Sequence, residues 1–163
     1  MIEEYKVVFA MCGSRVRKVR PNHANLMFSD VGLVNCLAQR GAIAPKSELL
    51  GKAFENWVHH ELCAWIEYHK RSEQLTYLRL STGLEVNFIL GHMACAIEAK
   101  ASQKIHNDHL KGLRELRDDY PEVQQRIVVS LEVISRRTNN GIEILTVADV
   151  IRQLWDDEFL NSK

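Results

Sequence analysis

A chain of 163 residues is long enough for one domain with a sizeable core. Hydrophobic residues make up 46% and charged residues 26%, a globular composition, and 21 basic against 21 acidic side chains argue neither for nor against a nucleic-acid partner. No run reaches the roughly 20 apolar residues of a membrane span, and residues 2–12, carrying Glu3, Glu4 and Lys6, make a poor signal peptide. A cytoplasmic chain with no membrane partner is therefore expected. Cys12, Cys36, Cys63 and Cys95 are scattered, with neither a CxxC pair nor zinc-ligand spacing, which fits reduced thiols.

In chain order, Lys6 to Met11 reads equally as a strand or a helix fragment. Arg15, Arg17, Lys18 and Arg20 alternate with Val16 and Val19 up to Pro21, the pattern of a solvated edge strand, or of a phosphate contact. Residues 1–21 are left as an N-terminal segment of open assignment within a single domain of 1–163. Asp30 begins a short helical segment that runs through Leu37 and Ala38 to about Gly41. From about Ser47 to Lys70, Leu50, Phe54, Trp57, Val58, Leu62, Trp65 and Ile66 recur at spacings of three and four, predicting a long helix with a broad buried stripe. Glu55 adjoins that stripe. It is either held at the margin of the core or solvated, with His59 one turn on as a partner.

The period then switches to two. Thr76 to Leu80 predicts a strand closed by a turn at Ser81-Thr82-Gly83, and residues 85–90 and 94–100 predict a hairpin. A helix with Leu110, Leu113 and Leu116 ends near Tyr120-Pro121. Arg126 to Leu131 suits a buried central strand, Asn139-Asn140-Gly141 a turn, Ile142 to Leu145 a strand and Val147 to Trp155 a closing helix. The order predicts an α/β (α+β) domain, a mixed sheet flanked by helices.

The hairpin carries the chemistry. Residues two apart on a strand share a face, so Glu85 pairs with Asn87 and Glu98 with Lys100. A turn of two or four residues at Gly91-His92-Met93-Ala94 brings all four to one side; two puts Glu85 opposite Glu98, and four puts Asn87 there. Carboxylates with one ammonium can seat a hard divalent cation beside a general base or a charge stabiliser. Asn87 stands where such a site wants an acid. No GxxxxGK[ST], GxGxxG or GxSxG is present, which sets aside the usual nucleotide cradles and the serine-hydrolase elbow. His59-His60-Glu61 and His106-Asn107-Asp108-His109 hold potential ligands but are better read as solvated, although His106 and His109 would share a face on a helix.

Gly51-Lys52-Ala53-Phe54-Glu55-Asn56-Trp57-Val58 with Glu61-Leu62 resembles the signature helix of the DUF4143 family, C-terminal domains of bacterial and archaeal AAA-type ATPases. Phe28 to Leu33, Tyr77-Leu78-Arg79, Glu85 to Ile89, Ile97 to Ser102, His109 to Leu113 and Ile127 to Ser130 are similar to its further segments in the same order, over about residues 22–157. Leu78 replaces a tryptophan of that pattern.

The resemblance implies a restriction-endonuclease-like, or PD-(D/E)XK, fold. It further implies metal-assisted phosphodiester hydrolysis of DNA, with Glu55, Asn87, Glu98 and Lys100 as the catalytic set and Glu55, Glu85, Asn87 and Glu98 as ligands to Mg²⁺ or Mn²⁺. In such a site the carboxylates hold the ion and Lys100 orients a water or stabilises charge. Asn87 departs from the family's aspartate. At an effective dielectric near 20, unit charges about 4 Å apart interact by roughly 4 kcal/mol, so losing one charge weakens Mg²⁺ binding by orders of magnitude unless Glu85 compensates. The preceding ATPase is absent from this chain, which reads as a stand-alone relative or a fragment. Weak or absent hydrolysis is expected. The alternative is a catalytically silent module that binds DNA, an ATPase or another protein.

Overall fold

The computed structural model describes residues 4–5, 31–79 and 85–160. The first segment, Lys6 to Met11, the basic stretch to Pro21 and the turn at Ser81-Thr82-Gly83 lie outside them. The described strands are β1 (Glu4–Tyr5), β2 (Leu75–Arg79), β3 (Glu85–Leu90), β4 (Cys95–Lys100), β5 (Gln125–Ser130), β6 (Arg136–Arg137) and β7 (Glu143–Thr146); the helices are α1 (Val31–Leu37), α2 (Glu48–Tyr68), α3 (Lys111–Asp119) and α4 (Val147–Trp155). One sheet runs β1-β2-β3-β4-β5-β7-β6. The pairs β4–β5 and β5–β7 are parallel and the others antiparallel, so the sheet is mixed as expected.

The long helix begins where the sequence pattern places it. Ser47 is its N-cap, and its Oγ accepts the Leu50 N–H at 3.1 Å, satisfying one of the orphan donors of the first turn. Phe54, Val58, Leu62 and Trp65 of α2 pack with Val150 and Leu154 of α4 and with Phe159 on one face of the sheet, over Phe88, Leu90, Cys95, Ile97, Ile127 and Val129. Leu113 and Leu116 of α3, with Leu110, Tyr120 and Val123, cover the other face over Leu78, Val86, Ile89, Ala96, Val128 and Ile144. Both faces are thus dry. The central parallel strands accordingly read as continuous apolar runs rather than alternating ones.

The turn between β3 and β4 is four residues long, Gly91 to Ala94, because Leu90 pairs with Cys95 and Phe88 with Ile97. Gly91 has φ +65°, a backbone setting that glycine enters without penalty. The two-residue strand β6 was not anticipated. Its exposed Arg136 and Arg137 give no apolar alternation to read. His106 and His109 do not share a helix face: His106 precedes a single 3-10 turn, Asn107–Leu110, and its backbone N–H donates to His109 Nδ1 at 3.3 Å. Cys36, Cys63 and Cys95 are not joined in disulfides.

Candidate site in the gap between two strands

Simple alternation does not account for how the hairpin residues meet. Across β2 and β3, Thr76 pairs with Ile89 and Leu78 with Val86, so the single residue Tyr77 faces two, Asn87 and Phe88. That extra residue is a β-bulge. It changes the parity of β3: Val86 packs toward α3, while Phe88 and Leu90 pack toward α2. Glu85 and Asn87 lie on the α2 side, and Glu98 and Lys100, in step with Ala96, on the α3 side. The β3–β4 ladder reaches Phe88 and Ile97, and beyond it the two strands are joined by side chains. The four residues therefore meet through a gap between strands, two from each face, rather than on one face as the alternation suggested.

Asn87 bridges the gap. Its Oδ1 accepts the Ala99 backbone N–H at 2.8 Å, and its Nδ2 donates to Glu55 Oε1 at 3.2 Å. The reverse amide orientation would set N–H against N–H and oxygen against carboxylate, so the network fixes which end is which. The Asn87 backbone N–H, freed from the ladder by the bulge, donates to Glu98 Oε2 at 3.2 Å. Lys100 Nζ lies 2.6 Å from Glu98 Oε1, and Lys52 Nζ lies 3.3 Å from Glu55 Oε2. All four oxygens of the Glu55 and Glu98 carboxylates thus hold a donor supplied by the chain. Glu55, Asn87 and Glu98 are 7%, 8% and 9% exposed, low enough that an unmet charge or amide there would be costly. Burial raises the Glu98 pKa above the usual carboxylate range, against the pull of Lys100 and the Asn87 N–H.

These groups form one wall of a cleft of about 610 Å³. Glu48, Lys52 and Glu55 of α2 line one side, Asp108, His109, Lys111 and Glu115 the other, and Glu85 sits on the exposed rim. Six carboxylates face three lysines there. Lys52 went unnoticed in the sequence, although its position three residues before Glu55 on a helix is the signal for such a pair. Glu55 accepts its hydrogen bonds from Lys52 and Asn87 rather than turning to His59.

A divalent ion does not fit this donor set. Asn87 aims an N–H, not an oxygen, at Glu55, and its one carbonyl oxygen is engaged by Ala99. Among the described residues no three of His, Cys, Asp or Glu come together as a metal seat, Glu85 included.

The family model described as a domain of unknown function, DUF4143, matches residues 50–150. The chain belongs to the DUF4143 family. Its matched region runs from the first turns of α2 into α4 and takes in every residue of the gap. No curated protein and no solved structure matches this DUF4143 chain. None of its described helices is long and apolar enough to cross a membrane.

Proposed function

We propose that this DUF4143 domain is a nuclease-like domain of the restriction-endonuclease type whose hydrolytic site has lapsed. In this reading it hydrolyses DNA weakly or not at all in Mg²⁺ or Mn²⁺, and what remains is binding. The observation that carries it is the meeting of Glu55, Asn87, Glu98 and Lys100, from α2, β3 and β4, at one gap on the wall of a cleft, with an amide at the position that should be acidic. The element order α2-β2-β3-β4-α3-β5 supports it, being the helix, three strands, helix and strand that the PD-(D/E)XK reading calls for.

The test is cleavage of supercoiled and linear DNA in Mg²⁺ and in Mn²⁺, alongside a calorimetric titration with Mn²⁺. The wild type is expected to give little or no heat and little or no product, and Asn87→Asp to gain both. Strong cleavage by the wild type that disappears in Lys100→Ala would overturn the lapse. Cleavage that survives Glu98→Ala and Lys100→Ala would remove these residues from the site altogether.

The charge of the cleft favours a second reading of what is bound. With six carboxylates against three lysines, the cleft's own side chains repel a DNA phosphate. A protein partner, such as an ATPase, presenting basic side chains meets attraction. Binding to duplex DNA that is tight and independent of added metal would refute this second reading.

A further inference from the structure

In a metal-dependent site, opposed carboxylates from different elements are held together by the ion they share. Here Glu55 of α2 and the β3–β4 gap are joined by hydrogen bonds of the chain itself, through the two ends of the Asn87 amide. We infer that Asn87 is an internal replacement for a metal cross-link. Its amide ties α2 to β4 through Glu55 and Ala99, while Lys52 and Lys100 supply the positive charge, so the fold and the shape of the cleft are independent of divalent metal. The inference rests on the nuclease-like reading only for the comparison with an ion, and its test reads folding rather than DNA.

The argument is one of donor counting. An amide has one hydrogen-bonding end of each kind, and both ends of Asn87 are matched: a backbone N–H at its oxygen, a carboxylate oxygen at its nitrogen. Aspartate at the same place keeps the bond from Ala99. Toward Glu55, however, it presents an oxygen about 3.2 Å from another carboxylate oxygen, in a buried setting where two like charges cannot coexist without a cation or a shared proton. Lys52 reaches the other oxygen of Glu55 and is largely exposed, so it offsets this only in part. Restoring the acid should therefore create a dependence on metal for stability as well as any gain of chemistry. The converse follows for a double exchange. With glutamine at 55 and aspartate at 87, the amide and the carboxylate trade sides, and the N–H to oxygen contact re-forms without an ion.

Thermal melting of wild type, Asn87→Asp and Asn87→Asp/Glu55→Gln, each in EDTA and in millimolar Mn²⁺, tests the inference. The wild-type Tm should be the same in both. Asn87→Asp should melt lower in EDTA by roughly 5 °C or more and recover in Mn²⁺. The double exchange should return toward the wild-type Tm in EDTA. A wild-type Tm that climbs with Mn²⁺, an Asn87→Asp variant as stable as wild type in EDTA, or a double exchange no better than the single variant each overturns the tie. If Asn87→Asp does not fold in either buffer, the double exchange decides: folded in EDTA it supports the tie, unfolded it overturns it. A melting series that fails while the DNA assays come out as expected overturns the tie alone; the reverse overturns the functional reading alone.

Discussion

His59 lies on the buried side of α2, 4% exposed, with its ring 5.9 Å from that of Phe88 and its Nε2 3.6 Å from Cys63 Sγ. Burial, then the neighbouring His60, pushes its pKa down from 6.5 to about 4. The unfolded chain takes up this proton as pH drops through 6.5, while the folded chain resists until about 4, so the contribution of His59 is present above pH 6.5 and lost as pH falls toward 4. The loss amounts to at most about 3–4 kcal/mol, at about 1.4 kcal/mol per unit. Glu98 runs the other way. Its folded pKa is raised above 4.5, chiefly by burial, so its contribution weakens as pH rises from 4.5 through the folded value. Urea unfolding between pH 4.5 and 7 separates the two. Relative to wild type, His59→Gln should lose stability less steeply on acidification, and Glu98→Gln should lose it more steeply. Parallel pH curves for wild type and His59→Gln would show that the folded protein accepts the proton readily.

At the scale of elements, α2 sets the site because it delivers both Lys52 and Glu55 to the cleft while its other side is locked into the core. Its first turn depends on Ser47. Removing that cap in Ser47→Ala should cost about 1 kcal/mol, read as a lowered urea midpoint at unchanged m-value. Leu62→Ala should cost more, about 2–5 kcal/mol, because Leu62 is 1% exposed and its loss leaves a cavity against the sheet. If the Ser47 variant proved as damaging as the Leu62 variant, the helix would depend on its cap rather than on its buried stripe.

The helix was legible in the sequence because seven apolar residues repeat at its period; α4 was legible from Val147 to Trp155, and the four-residue turn was one of the two lengths considered. The bulge at Asn87-Phe88 was not. Val86 to Leu90 are all buried, since both faces of the sheet are covered, and a strand buried on both sides carries no alternation for an extra residue to interrupt. Asn87, Glu98 and Lys100 stand out on the hairpin by residue type and spacing, whereas Glu55 joins them only through the family resemblance. That they meet from opposite faces, with Lys52 as a fifth member, follows from the bulge and from helix geometry that no residue type announces.

On the scale of the whole molecule, the helices differ in how firmly they belong to the fold. α1 contributes no buried residue, α2 packs along the sheet, and β4 lies between β3 and β5 under helices on both sides. Three thiols sample this gradient: Cys36 on α1 is exposed, Cys63 on α2 is partly buried, and Cys95 at the start of β4 is fully buried. Burial, with Glu143 nearby, pushes the Cys95 thiol well above its ordinary pKa, so it is slow to react on chemical grounds as well as steric ones. Pulsed alkylation read by mass spectrometry should therefore label Cys36 within the first pulses, Cys63 later, and Cys95 only as fast as the whole molecule unfolds. Cys95 stands three residues before Glu98 on the same strand, so its labelling also reports whether the strand that carries the site opens by itself. In urea well below the midpoint, Cys95 labelling much faster than global unfolding would mean that β4 comes away from β5 locally. A rate that tracks global unfolding instead places the gap on the most firmly held part of the sheet, as expected of residues tied to one another by the chain's own donors.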